Sequence, residues 1–278
     1  MNDPIIEKLY GTAAGRFFMK LGIQLGVPKL IAGYLRSPIS KHRIPRYIRK
    51  NGISMEEFPQ EHYPSFAAFF ARQKSRSYAD MEASHLISPC DGLLSVYSVQ
   101  PDSSFSIKGT RYTLNMLLQD PTHKEEYCGG LCLVFRLTAA DYHHFMFIDD
   151  GFIGKTHFIE GQLHSVQPAA CQVFPVYRLN RRKWNLLDTV NFGPIIQVEV
   201  GAVAVGGIVI EQENCRISRG SEMGHFELCG STIVLLLQKG RADLLPKYAE
   251  LMDSEKEHRV RLGCCIGKIP AATDSFCI

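Results

Sequence analysis

Gly230-Ser231-Thr232 places a serine between a glycine and a β-branched residue, at the entrance to the apolar run 233–237. A hydroxyl held there against its own upstream carbonyl can do unusual chemistry. The Ser231 oxygen can attack the Gly230 carbonyl, the acyl group can shift from nitrogen to oxygen, and the chain can open at the resulting ester. The same three residues also suit an ordinary turn before a core strand. Activating a hydroxyl takes a base and a group that orients the base. Two other stretches carry such groups: Ser88-Pro-Cys-Asp-Gly92 sets Asp91 in a tight-turn composition, and Asp141-Tyr-His-His-Phe145 sets His143 and His144 at the start of an apolar run. Read locally, the first is also an ordinary Asp-Gly turn and the second a solvated or hydrogen-bonded pair of histidines.

Positioning these groups falls to the elements between them. Ile5, Leu9, Phe17, Leu21 and Leu25 recur at roughly helical spacing after Asp3-Pro4, which reads as a cap followed by proline at the first helical position. Gly26 and Pro28 end that segment well short of a spanning length. A second amphipathic piece covers 30–35 and leads into the basic stretch 41–50. Ser65 is expected to cap a helix that sets Phe66, Phe69 and Phe70 on one face. Beyond Arg76 the pattern becomes strand-like, with strands expected at 93–99, 131–137, 142–148, 153–159, 195–205, 208–211 and 232–237. A last helix is expected over 243–252, with a loose tail from Gly263. Strands do not alternate with long helices, so a doubly wound sheet is not expected. The fold class is α+β: a mainly antiparallel β core behind a helical, basic, amphipathic N-terminal portion. The division falls near residue 80, with 1–80 as a helical membrane-associating portion and 81–278 as a β-rich catalytic domain.

The chain has 278 residues, 45% of them hydrophobic, enough for one sizeable core and an appendage. A net charge of +3 is too small to point to nucleic acid. Basic residues crowd the first fifty positions, where Asp3 and Glu7 are the acidic ones, as suits a surface facing anionic lipid. The alternative is that these helices pack on the core. Nine scattered cysteines read as reduced thiols. Cys128 and Cys132 amount to half a zinc site without a second pair, so no metal is expected.

Taken together, Tyr63-x-Ser-Phe-x-x-Phe-Phe-x-Arg72, Ser88-Pro-x-Asp-Gly92, Asp141-Tyr-His143 and Glu222-Met-Gly-x-Phe-x-x-x-Gly-Ser-Thr232 resemble the phosphatidylserine decarboxylase family, in the family's order and over nearly the whole chain. Ile107-Lys108-Gly109, Tyr112-Thr113 and the segment from Val200 to Gly206 add to the resemblance. It implies a proenzyme that cuts itself between Gly230 and Ser231 into a β chain, 1–230, and an α chain, 231–278, which stay associated. Ser231 would become an N-terminal pyruvoyl group, the covalent cofactor, and would form a Schiff base with the serine headgroup of phosphatidylserine. Carried over residue by residue, Asp91 would support the base that activates Ser231, and His143 would act in the site. The implied setting is peripheral, on an anionic membrane surface at the cytoplasmic face, with a homodimer left open.

One position departs from the family pattern. A second histidine, often assigned to self-cleavage, is expected three residues after His143, but Met146 stands there and cannot accept a proton. Either His143 serves both steps or His144 or His164 stands in, although alternation along a strand points His144 away from His143. Two other readings compete: an unprocessed serine hydrolase using Ser231 as nucleophile, and a non-catalytic protein that binds anionic lipid.

Overall fold

A computed structural model of the chain describes residues 4–60, 62–107, 110–123, 125–162, 164–166, 168–201, 207–228 and 231–271. The expected cap Asp3, Lys108-Gly109, most of the segment from Val200 to Gly206, Gly230 and the tail cysteine Cys277 lie outside them.

The N-terminal helices are α1 (Pro4–Gly11), α2 (Ala13–Gln24), α3 (Val27–Arg36) and α4 (Ile44–Asn51), with a 3₁₀ turn at Pro38–Arg43. Local chemistry sets their ends. Ser37 precedes Pro38 and is extended, which stops α3; Gly52, at φ +63°, returns its N–H to the Ile48 carbonyl and stops α4. Tyr10 and Ala32 are buried, so the helices rest on the body of the protein through one side. α5 (Phe66–Phe70) starts as expected, with the Ser65 hydroxyl accepting from the Ala68 N–H, and Phe66, Phe69 and Phe70 are buried.

In chain order the strands begin with β1 (His85–Ile87), β2 (Gly92–Ser98), β3 (Ser104–Ile107), β4 (Thr110–Thr113), β5 (Leu131–Leu137) and β6 (His144–Met146). β7 (Gly151–Ile153), β8 (His157–Ile159), β9 (Arg182–Thr189), β10 (Gly193–Val200), β11 (Ile208–Ile210) and β12 (Cys215–Ile217) follow. Last come β13 (Glu222–Phe226), β14 (Ser231–Leu237), β15 (Asp243–Leu244), β16 (His258–Val260) and β17 (Cys265–Lys268). The main sheet runs β12-β7-β9-β10-β14-β5-β2-β16, with β8 beside β9, and its strand pairs are antiparallel. A smaller sheet, β11-β13-β6, carries the residues after His143.

β14 lies between β10 and β5 and is buried at every position. Ile233, Leu235 and Leu237 enter one apolar cluster with Phe135 and Ile195; Val234 and Leu236 enter another with Val198 and Trp184. A strand covered on both faces needs a continuous apolar run instead of alternation, which is why its sequence reads as one.

Several expected elements come out differently. The strand over 142–148 contracts to β6 because the chain is still turning at 138–141. The strand over 153–159 divides into β7 and β8 around Gly154, whose N–H goes to Leu186. The helix over 243–252 shrinks to Pro246–Ala249, since Leu245 before Pro246 is extended and Asp243–Leu244 pairs with β17. The tail is not loose from Gly263: β17 pairs with β1 and β15. Gly263 adopts φ +75°, and a side chain there would meet the Tyr78 carbonyl at 2.1 Å. β9 was not expected at all. Its Arg182 is fully buried, and the guanidinium is spent on the carbonyls of Leu117, Arg178, Asn180 and Met116.

Candidate active site

Register brings the site together. Ser231, the first residue of β14, pairs with Leu137, the last of β5. The chain then turns: the Asp141 N–H returns to the Thr138 carbonyl at 3.1 Å, and the Thr138 N–H donates to Asp141 Oδ2 at 2.6 Å. Arg259 holds Oδ1 of Asp141 in an ion pair. Six residues past Leu137 the chain has come back over the start of β14, and His143 sits on Ser231.

His143 and Ser231 are both fully buried, with Nδ1 3.0 Å from Oγ. His143 Nε2 lies 3.0 Å from the Thr138 carbonyl oxygen. A carbonyl only accepts, so Nε2 carries the hydrogen and Nδ1 presents its lone pair to the serine hydroxyl. Burial, against a smaller opposing pull from Asp141, drives the His143 pKa down to about 4, which keeps the ring uncharged at neutral pH. The Phe70 ring lies 4.3 Å from the imidazole between centroids, so α5 closes the site from above. A nucleophile, a neutral base within hydrogen-bond reach and a fixed acceptor behind the base form a set able to activate a hydroxyl.

Asp91 is one step further out. Its Oδ1 accepts from the Leu262 N–H at 2.8 Å and its Oδ2 from the Tyr142 N–H at 3.4 Å, with Lys74 Nζ 4.0 Å away. The carboxylate therefore braces the backbone just before His143 and makes no hydrogen bond to the imidazole. The two stand-in histidines point elsewhere. His144 faces Glu222, and His164 bonds Gln162 and Tyr10 and stacks on Phe174; neither bonds Ser231. Met146 is buried in the core, and its N–H donates to the Pro89 carbonyl. The sequence reading did not assign Thr138, Asp141 or Phe70. Thr138-x-x-Asp141 was the signal available, since a carboxylate three residues after a threonine can close a turn on the threonine's N–H.

A second carboxyl group shares the sheet face of Ser231. Glu199 on β10 is opposite Ile233, diagonal to Ser231, and fully buried. Gln197 Nε2 donates to its Oε1 at 2.9 Å, while Oε2 has no partner. Burial raises its pKa to about 8. Because the folded value lies above the ordinary carboxylate value, the native state holds its proton more tightly. This contribution is complete below about pH 4.5 and lost as pH rises through about 8, at up to about 1.4 kcal/mol per pH unit. Glu199→Gln is therefore expected to match the parent in denaturant midpoint near pH 5 and exceed it above pH 8. Parallel midpoint–pH curves would show that Glu199 does not titrate this way.

The sequence model described as phosphatidylserine decarboxylase matches residues 64–268. Among curated relatives, phosphatidylserine decarboxylase proenzyme 2 of Clostridium acetobutylicum is 38% identical, over 95% of this chain and 91% of its own length. Phosphatidylserine decarboxylase proenzymes of Ruminiclostridium cellulolyticum and Clostridium perfringens are each 34% identical, over 95% and 93% of this chain and 92% and 90% of theirs.

Proposed function

Because the chain belongs to the phosphatidylserine decarboxylase family, we propose that it is a self-processing lyase that converts phosphatidylserine to phosphatidylethanolamine with a pyruvoyl group made from Ser231. The observation that carries this reading is the buried Ser231 Oγ–His143 Nδ1 contact of 3.0 Å. His143 takes the hydroxyl proton as Oγ adds to the Gly230 carbonyl. Collapse with protonation of the Ser231 nitrogen leaves an ester. Loss of the Ser231 α-proton and of the ester carboxylate then frees residues 1–230 and leaves dehydroalanine, which takes up water and releases ammonia to become pyruvoyl. That carbonyl supplies an electron sink for loss of carbon dioxide from an amino acid headgroup. The residues fit the group: the position is buried, a fixed imidazole adjoins it, and Phe70 helps exclude water. Asp91 serves as a positioning residue for His143.

The cut removes no strand from the sheet. β14 would enter the α chain while β10 and β5 on either side stay in the β chain, so the fragments share one core and separate only by unfolding. Intact-mass measurement of the purified protein tests the reading. Two masses divided between Gly230 and Ser231, the smaller without a free amine, are expected; a single mass of 31.2 kDa would refute it.

Membrane attachment belongs to the same proposal, with 1–80 as the attaching portion and the cytoplasmic face as its setting. No helix among the described residues is long and apolar enough to cross a membrane. Phe17, Phe18, Leu25, Leu30 and Ile39 are 62 to 72% exposed, and Lys29, Lys41, Arg46 and Arg49 are exposed near them in the chain. Apolar side chains and cations together suit an anionic lipid interface. Replacing both Phe18 and Leu30 by Ser is expected to weaken binding to phosphatidylserine-containing vesicles at least tenfold, since each buried large side chain is worth about 1.5 to 3 kcal/mol. Unchanged co-sedimentation would remove these residues from the interface.

A further inference from the structure

The chain leaving α5 runs alongside the residues around His143. Phe70 lies on the His143 ring, the Ala71 carbonyl is 3.2 Å from His144 Nε2, and the Lys74 N–H donates to the Tyr142 hydroxyl at 3.4 Å. Arg72 stands in the middle of this run and is 3% exposed. After burial, its charge is one of the influences that hold His143 unprotonated, so the two groups are neighbours.

A guanidinium stays charged and carries five N–H donors. Arg72 uses few of them. Nη1 makes one long bond, 3.4 Å, to the Phe69 carbonyl, and Nε is buried without an acceptor. No carboxylate among the described residues pairs with it: Glu57 is taken by Lys74 at 2.9 Å, and Asp91 spends its oxygens on the Leu262 and Tyr142 amides. Its close neighbours are rings, with Cζ 4.7 Å from the centre of Phe58 and 4.8 Å from that of Phe69. Tyr63, near enough to act on Arg72 electrostatically, also has a buried hydroxyl with no partner. Two other buried arginines show what a purely structural guanidinium looks like here. Arg182 donates to four carbonyls and Arg219 to three.

A buried cation lacking both counter-ion and acceptors costs the fold free energy, which an incoming anion would recover. We infer that Arg72 binds the phosphodiester of the phospholipid headgroup and so fixes which substrates the site accepts. This inference rests on the decarboxylase reading. The phosphodiester is a better match than the headgroup carboxylate, because pairing the carboxylate would stabilise the charge that loss of carbon dioxide must remove, whereas the phosphodiester is the same in substrate and product. The planar guanidinium fork suits two of its oxygens. Phe58, half-buried on the irregular segment between α4 and α5, covers the guanidinium and is the side chain that must turn aside; Glu57 next to it is already exposed.

Calorimetric titration of wild-type protein with glycerophosphoethanolamine is the test, since this soluble product headgroup keeps the phosphodiester and lacks the carboxylate. Saturable binding is expected, at least tenfold weaker in Arg72→Met and several-fold weaker in Arg72→Lys, which keeps the charge but loses the fork. Ethanolamine, without the phosphodiester, should bind all three proteins alike. With phosphatidylserine in detergent micelles, Arg72→Met should raise KM about tenfold and leave kcat within a few-fold, the signature of lost uniform binding. Wild-type affinity for glycerophosphoethanolamine in Arg72→Met overturns the proposal, and where that variant does not fold, wild-type affinity in Arg72→Lys overturns it. Inorganic phosphate binding as tightly as glycerophosphoethanolamine would also overturn it, by showing a free-anion site. The two readings fail separately: one uncut mass refutes the decarboxylase, whereas a divided, active wild type whose affinity is indifferent to Arg72 refutes the headgroup site.

Discussion

Ser231→Ala is expected to accumulate as one uncut chain of 31.2 kDa with no decarboxylation of phosphatidylserine, where the wild type divides into two. The loss is complete, not partial, because the hydroxyl oxygen forms the ester whose departure, as the carboxylate of residues 1–230, leaves the dehydroalanine that water converts to the ketone. A weaker nucleophile such as water cannot replace it: hydrolysis at the same bond would leave a serine or alanine amine and no carbonyl. Folding should survive. The substitution removes one oxygen from a buried position and leaves His143 Nδ1 without its partner, a cost of about 1 to 3 kcal/mol. Thermal unfolding and circular dichroism of the variant separate failure to cut from failure to fold. A Ser231→Ala chain that still divides at this bond would mean that another group is the nucleophile. A wild-type chain that stays whole and is labelled at Ser231 by a fluorophosphonate would favour the serine-hydrolase alternative instead.

The buried strand was legible because burial on both faces leaves one kind of sequence: the apolar run after Ser231 reads directly as β14. The Ser65 cap and the three phenylalanines of α5 were legible for the same reason, since their causes are local. β9 was hidden because its buried members include Arg182 and Asn185, whose burial depends on partners up to 66 residues away in the chain, backbone carbonyls for Arg182 and the Thr156 hydroxyl for Asn185, that no sequence window contains. The site behaved likewise. Ser231, His143 and Asp91 could be named from their motifs, but that the imidazole leans on the Thr138 carbonyl, with Asp91 acting on the backbone beside it, follows from a turn geometry and a strand register.

With Met146 where the family pattern has a second histidine, the proposed reaction gives His143 more than one duty, and the second large effect follows from that proposal. His143→Ala is expected to slow self-cleavage by about 10²- to 10⁴-fold, the usual worth of a positioned base. No other imidazole is oriented to replace it: His144 is committed to Glu222 and Ala71 on the opposite side of the strand, and His164 to Gln162, Tyr10 and Phe174. His164→Ala should therefore cut within a few-fold of the wild-type rate. Asp91→Ala should also slow cutting, but by displacing His143, since it removes the acceptor for the Tyr142 and Leu262 amides without touching the proton path. The two causes are distinguishable in one experiment. Following cleavage of freshly refolded chains by gel with added imidazole, a missing base at a well-formed site is restored in part by the small molecule filling the space left in His143→Ala. A displaced base in Asp91→Ala is not. Wild-type rates in His143→Ala would take His143 out of the mechanism, and a processing defect in His164→Ala would put that histidine in its place.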